Sequence, residues 1–228
     1  MGPIWRSLGA VLLGWLAAAD AAALCPQEQQ RARASAARIA EEWPAVPGGD
    51  ELARYIQELG ERLARVGAAG RDIPWRFTVL RDRSPYAFAI GAGAVYVTEG
   101  AVAFAGSESE LAAILAHEIG HQLAGHFCGA APDAYDSVGR RQDPVGGLVQ
   151  VIDPHKETEA DRYAVGLLRE AGFDPRAMRE VAKRLPDKPE IAGRRLTALH
   201  DLLGRLPPPR RIRESDQFRR LRGRAAGP

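Results

Sequence analysis

Residues Ser107–Phe127 read SESELAAILAHEIGHQLAGHF, and the reading of this stretch decides the fold. Ser107 and Glu110 stand in the Ser-x-x-Glu form of a capping box, so a helix starts at Ser107. Leu, Ile and Ala fill its middle, as in a helix with a buried face. The same helix carries His117, Glu118, His121 and His126. Residues four apart on a helix share a face, with Cβ atoms roughly 5–6 Å apart, so His117 and His121 can aim imidazole nitrogens at one metal ion. Glu118 is turned aside from that axis and can reach a water on the metal instead of the metal. This is the H-E-x-x-H arrangement, in which the glutamate is the general base of a zinc peptidase. The competing reading is a buried helix with incidental histidines. The register of both histidines and the glutamate behind a formed cap argues against it.

A zinc site of this kind needs a third protein ligand and one position open for water. In the extended motif H-E-x-x-H-x-x-G-x-x-H the added glycine and histidine would fall at Ala124 and Phe127. His126 is one position out of that register, and is read as a support for the site or as a cation at the helix end. A glutamate from a second helix is the alternative, and "HKETEADRY", residues 155–163, supplies it. Glu157 and Asp161 are again four apart. Glu157 can bind zinc while Asp161 accepts from an imidazole N–H and fixes its tautomer. Glu159 faces another direction and is read as solvated or structural.

These residues carry a resemblance. "ELAAILAHEIGHQLAGH" followed by "ETEADRYAVGLLREAGFDP" is similar to the gluzincin family of CAAX prenyl proteases, HtpX and BepA. The upstream "AFAIGAGAVYVTEG" resembles the paired strands that precede the zinc helix in that family. The similarity runs from about Glu51 to Leu185. It implies one Zn2+ per chain on His117, His121 and Glu157, with Glu118 as base and Asp161 partnering a ligand histidine. Two departures stand out. Tyr86-Ala87-Phe88 replaces the family's frequent Asn-Ala-Phe, and Leu206-Pro207 stands where a functional His-Pro pair often lies. His200 and Arg211 are the nearby candidates for a transition-state or regulatory contact.

Outward from the zinc helix, the elements alternate between periods. Residues 27–43 look helical and end at Pro44; Asp50 caps a second helix with Leu52, Tyr55, Ile56, Leu59, Leu63 and Val66 at helical spacing. "PWRFTVLRD" alternates as a strand, and Ala87–Ile90 and Ala94–Thr98 are two more about a glycine turn. Residues 130–152, broken by Gly and Pro, form a long loop that either covers the cleft or simply connects the two helices. Asp153-Pro154 and Asp174-Pro175 are helix starts, Gly172 is a stop, and helices resume after Pro189.

The bulk numbers fit this. The chain has 228 residues, 46% hydrophobic and 26% charged, enough for one domain with an extension. A net charge of +2 gives no reason to propose a nucleic-acid partner. Residues 1–23 have the layout of a secretory signal peptide, with Arg6, an apolar run and small residues at 21–23. An uncleaved anchor or a lipidated Cys25 ranks below that reading. Export would place Cys25 and Cys128 in an oxidising compartment, where they could pair.

The expectation is therefore an α+β fold, mainly helical and zincin-like, with a small β-sheet packed on the zinc helices. It divides into a signal peptide (1–23), a helical extension (24–49) and a metallopeptidase domain (50–228). The expected function is a zinc endopeptidase acting on unfolded or envelope proteins, exported to a bacterial periplasm, with an envelope or membrane-associated partner as a further candidate. The alternative is a proteolytically silent zinc module that holds polypeptides and would have no need of Glu118.

Overall fold

The computed structural model describes residues 25–66, 72–128, 153–184, 189–207 and 214–227. The expected signal peptide, the 130–152 loop and Arg211 lie outside the described residues. Among those described, eight helices accompany one sheet: α1 (Pro26–Glu42), α2 (Glu51–Val66), β1 (Arg76–Leu80), β2 (Ala87–Ala89), β3 (Ala94–Thr98), α3 (Glu99–Phe104), α4 (Glu108–Leu123), α5 (Pro154–Glu170), α6 (Ala177–Ala182), α7 (Pro189–Gly204) and α8 (Asp216–Ala226). The α+β, mainly helical expectation holds.

Local signals set most boundaries. Asp50 Oδ1 accepts from the Leu52 N–H at 2.7 Å and opens α2. Ser107 Oγ accepts from the Glu110 N–H, while Glu110 Oε2 reaches back to the Gly106 N–H, one residue earlier than in the standard box. Asp153 caps α5 through the His155 N–H. The chain leaves α5 at Gly172, whose φ of +80° suits glycine. The Asp174-Pro175 start behaves differently: Asp174 Oδ1 caps the Arg176 N–H, a tight turn follows, and α6 begins only at Ala177. Thr98 adds a short helix unmarked in the sequence, α3, by accepting from the Ala101 N–H.

The sheet has the order β1-β3-β2. β1 runs parallel to β3 with Phe77 opposite Val95, and β2 runs antiparallel to it with Phe88 opposite Tyr96. One face, with Val79, Ala87, Ala89, Val95 and Val97, joins the main core of α2, α4, α5 and α6. The other face, with Leu80, Phe88, Ile90 and Tyr96, is covered by Ala32, Ile39 and Trp43 of the α1 region. Each large side chain buried there contributes about 1.5–3 kcal/mol, so the N-terminal extension is an integral third layer. A disulfide joins Cys25 to Cys128, with Cα atoms 6.0 Å apart, and ties the start of α1 to the turn after α4.

The α4–α5 seam positions the site. A Cβ built on Gly120 would lie 2.6 Å from the Ala160 carbonyl oxygen. Glycine there lets the two backbones touch, against a fully buried Ala160 and the Cβ of Tyr163. That approach brings one turn of α5 over His117 and His121.

Candidate metal centre

His117 and His121 lie on one face of α4, and Glu157 on α5 faces both. His117 Nε2 is 3.2 Å from His121 Nε2 and 3.2 Å from Glu157 Oε2, and His121 Nε2 is 3.4 Å from Glu157 Oε1. Tetrahedral zinc with bonds of roughly 2.0–2.1 Å holds its donors about 3.3–3.4 Å apart. The three side chains therefore stand at the edge lengths of such a site, and their donor chemistry fits it.

The outer nitrogens decide which way the lone pairs point. His117 Nδ1 lies 2.9 Å from Asp161 Oδ1, an acceptor, so Nδ1–H donates outward. His121 Nδ1 lies 2.9 Å from His126 Nδ1, and His126 Nε2 lies 3.2 Å from Glu159 Oε2. Glu159 accepts from His126 Nε2–H, which leaves His126 Nδ1 a bare acceptor for His121 Nδ1–H. In the neutral rings both Nε2 lone pairs thus converge on one point. Glu159, expected to be solvated or structural, is the outer end of this chain. His126 is a support for His121.

Charge converges too. Burial by itself would lower the pKa of His117, but its hydrogen bonds to Asp161 and Glu157 outweigh burial and raise it. Burial pushes Glu157 up, and its hydrogen bonds with His117 and His121 outweigh that and hold it low. His121 and His126 are lowered, chiefly by burial, which keeps their rings neutral. The carboxyls of Glu157 and Asp161 thus favour positive charge at His117, and a metal cation there would meet the same two groups.

Glu118 sits 4% exposed on the neighbouring face of α4. Its Oε2 accepts from the Ala89 N–H of β2 at 3.0 Å. Burial raises its pKa to about 7, with Glu157 adding to the rise and His117 opposing it. That is the range in which a general base works best. The ladder alternation of β2 turns the N–H and C=O of Ala87 and Ala89 away from β3, and the outward Ala89 N–H is the one that meets this carboxyl.

Arg195 was missed in the sequence. It is 2% exposed on α7; Nε and Nη2 grip Asp161 at 2.9 and 2.8 Å, and Nη1 lies 3.7 Å from Glu157. A bidentate pair of this kind holds Asp161 in place. Removing one partner of a buried pair costs about 3–5 kcal/mol. The "GRRL" around it gives two arginines in succession, and helical phase against α5 was the only available signal. His200, on the same helix, is exposed and is not brought to the site.

Comparisons with known proteins agree with the geometry. Residues 50–131 match Peptidase family M48, a stretch that includes α2 to α4 and ends before Glu157. The chain is 32% identical over 172 residues to a putative beta-barrel assembly-enhancing protease of Vibrio cholerae serotype O1, covering 63% of this chain and 34% of that protein. It is 32% identical over 146 residues to the mitochondrial metalloendopeptidase OMA1 of Schizosaccharomyces pombe, covering 58% of this chain and 43% of that protein. With the beta-barrel assembly-enhancing protease of Escherichia coli K12 it shares 28% over 168 residues, again 63% and 34%. The chain thus spans between about a third and under half of the length of these curated relatives.

Proposed function

We propose that the chain, of which residues 50–131 match Peptidase family M48, is a zinc-dependent endopeptidase that cleaves extended segments of unfolded or envelope polypeptides. The observation that carries the reading is the three-donor cluster of His117, His121 and Glu157 with Glu118 beside it. The names of the relatives support the activity class, metalloendopeptidase and assembly-enhancing protease, and that of the first suggests an envelope setting.

Zinc bound there supplies a Lewis acid that polarises a peptide carbonyl and lowers the pKa of water. The chain's residues do the rest. Glu118 takes the proton from the attacking water at its carboxylate and hands it to the leaving amine nitrogen. The Ala89 N–H holds that carboxyl in one orientation. Asp161, gripped by Arg195, fixes the ring of His117, and His126 with Glu159 fixes that of His121. On the edge of β2 turned away from β3, the Ala87 N–H and C=O and the Ala89 C=O are the main-chain groups to which an extended peptide would add as a strand, which favours unfolded substrates.

Export fits the apolar N-terminal stretch and the Cys25–Cys128 disulfide. None of the described helices is long and apolar enough to cross a membrane.

The test is degradation of casein by the zinc-loaded chain beside its Glu118→Gln variant. Cleavage by the first and not the second, at one zinc per chain in both, is the expected result. No cleavage by either at one zinc per chain would favour the silent polypeptide-holding module.

A further inference from the structure

A second group of metal-ligating side chains lies away from this site, at the junction of α1, the β2–β3 turn and the end of α4. Cys25, Glu28 and Cys128 each offer one ligand atom there, all within 4.8 Å of one another. In the structure the two sulfurs are joined. We propose that this disulfide is the oxidised form of a second cation site, and that on reduction Cys25, Glu28 and Cys128 bind a thiophilic divalent metal such as zinc.

The argument begins with Glu28. It is 1% exposed, far more buried than a glutamate in the first turn of a surface helix needs to be. Oε1 accepts from the Ala92 N–H at 2.6 Å and from Gln122 Nε2 at 2.7 Å. Oε2 faces the two sulfurs, 3.6 Å from Cys25 Sγ and 3.5 Å from Cys128 Sγ. A disulfide has no hydrogen to donate, so in the oxidised form this buried oxygen faces two groups that cannot satisfy it. Such an arrangement is costly for a buried polar atom. Two thiols, or a cation between thiolates, would satisfy it.

The distances favour the cation. With bonds of roughly 2.3 Å to sulfur and 2.0 Å to oxygen, tetrahedral zinc sets each O···S separation at about 3.5 Å. Both O···S separations already have that value, and only the sulfurs must part. The surroundings hold the carboxyl still. Gln122, next to His121 on α4, anchors it while accepting from the Gly93 N–H. Gly91 leaves room for it, since a Cβ there would lie 2.8 Å from Glu28 Cγ. Cys128 is exposed, so a reductant and a metal can both reach the pair.

The chemistry balances. A small dithiol reductant gives two electrons and two protons to the Cys25–Cys128 bond and is itself oxidised to a disulfide. The two thiols then lose their protons to solvent as zinc binds the two sulfurs and Glu28 Oε2, with water as fourth ligand. Disulfide and metal exclude each other, so the redox state sets whether the chain holds one cation or two.

The experiment is zinc stoichiometry on the whole chain, oxidised and anaerobically reduced, after gel filtration. One zinc per oxidised chain and two per reduced chain are expected. Cobalt as probe should give a thiolate-to-metal charge-transfer band in the reduced chain alone. Glu28→Gln should weaken the second zinc at least tenfold in the reduced chain, and Cys25→Ser/Cys128→Ser should show one zinc in both states. One zinc in the reduced wild type without the cobalt band would overturn the proposal, with no variant involved. A reduced His117→Ala/His121→Ala chain should keep the thiolate band, which separates failure here from failure of the first site.

Discussion

At the scale of single residues, the site depends on side chains that touch no substrate. His126 gives His121 its tautomer by accepting at Nδ1. Outer partners of this kind are worth about 10–100-fold in metal affinity. His126→Ala should weaken zinc binding by that factor, and His126→Asn, whose side-chain oxygen can still accept, should recover part of it. Equal losses in the two variants would show that the ring only fills space. Glu118 makes a pH prediction. Its protonated form cannot accept from water, so kcat/KM should rise with pH through its pKa and flatten above. That pKa stands at about 7 without a cation nearby, and a bound dication pulls it down, so the acid limb should lie at about 7 or below. A profile flat across the acid range would remove Glu118 as base. His117, Glu118 and His121 were legible because helical period alone puts them together, and Glu157 because such a pair needs a third ligand from a second helix. Arg195 was not, because its partner Asp161 lies 34 residues away on another helix.

At the scale of elements, the α4–α5 seam converts two separate motifs into one centre. Gly120 against Ala160 sets how closely the backbones approach. Gly120→Ala must push them apart, and overpacking of this sort costs roughly 1–3 kcal/mol. Because Glu157 rides on the displaced helix, zinc affinity should fall together with the midpoint of thermal unfolding. Gly166→Ala on α5 is the control. A Cβ there meets open space, and alanine in a helix interior gains up to ~1 kcal/mol over glycine. If Gly120→Ala kept full zinc affinity, the seam would not be what positions Glu157. The helices themselves were readable from caps at Ser107 and Asp153 and stops such as Gly172. Their pairing was not, since a small-residue seam looks the same in sequence as any alanine-rich helix. The parallel pairing of β1 with β3 was hidden for a related reason: strand alternation fixes faces and leaves neighbour order open.

At the scale of the whole molecule, the N-terminal extension is held twice, by its apolar layer on the sheet and by the disulfide. Sequence alone placed two cysteines in the chain, but their approach depends on α1 crossing the sheet to reach the end of α4, a long-range packing outcome. The bond closes a separation of 103 residues. On the chain-entropy account a loop of that size restricts the unfolded state by up to ~4.7 kcal/mol, so Cys25→Ala/Cys128→Ala should lose about 3–5 kcal/mol of stability. For a protein of this size each kcal/mol moves the midpoint by about 2–4 °C, so a fall of roughly 6–20 °C is expected in a metal-saturated scan. The second hold predicts what survives. Ile39, Trp43, Leu80, Phe88, Ile90 and Tyr96 are buried against one another in a cluster that includes neither cysteine. The double alanine variant should therefore stay folded at ambient temperature, with its zinc affinity at His117, His121 and Glu157 within a few-fold of the parent. Protease nicking of α1 in the variant, at unchanged midpoint, would show the opposite: that the disulfide pins a layer which the apolar contacts cannot hold alone.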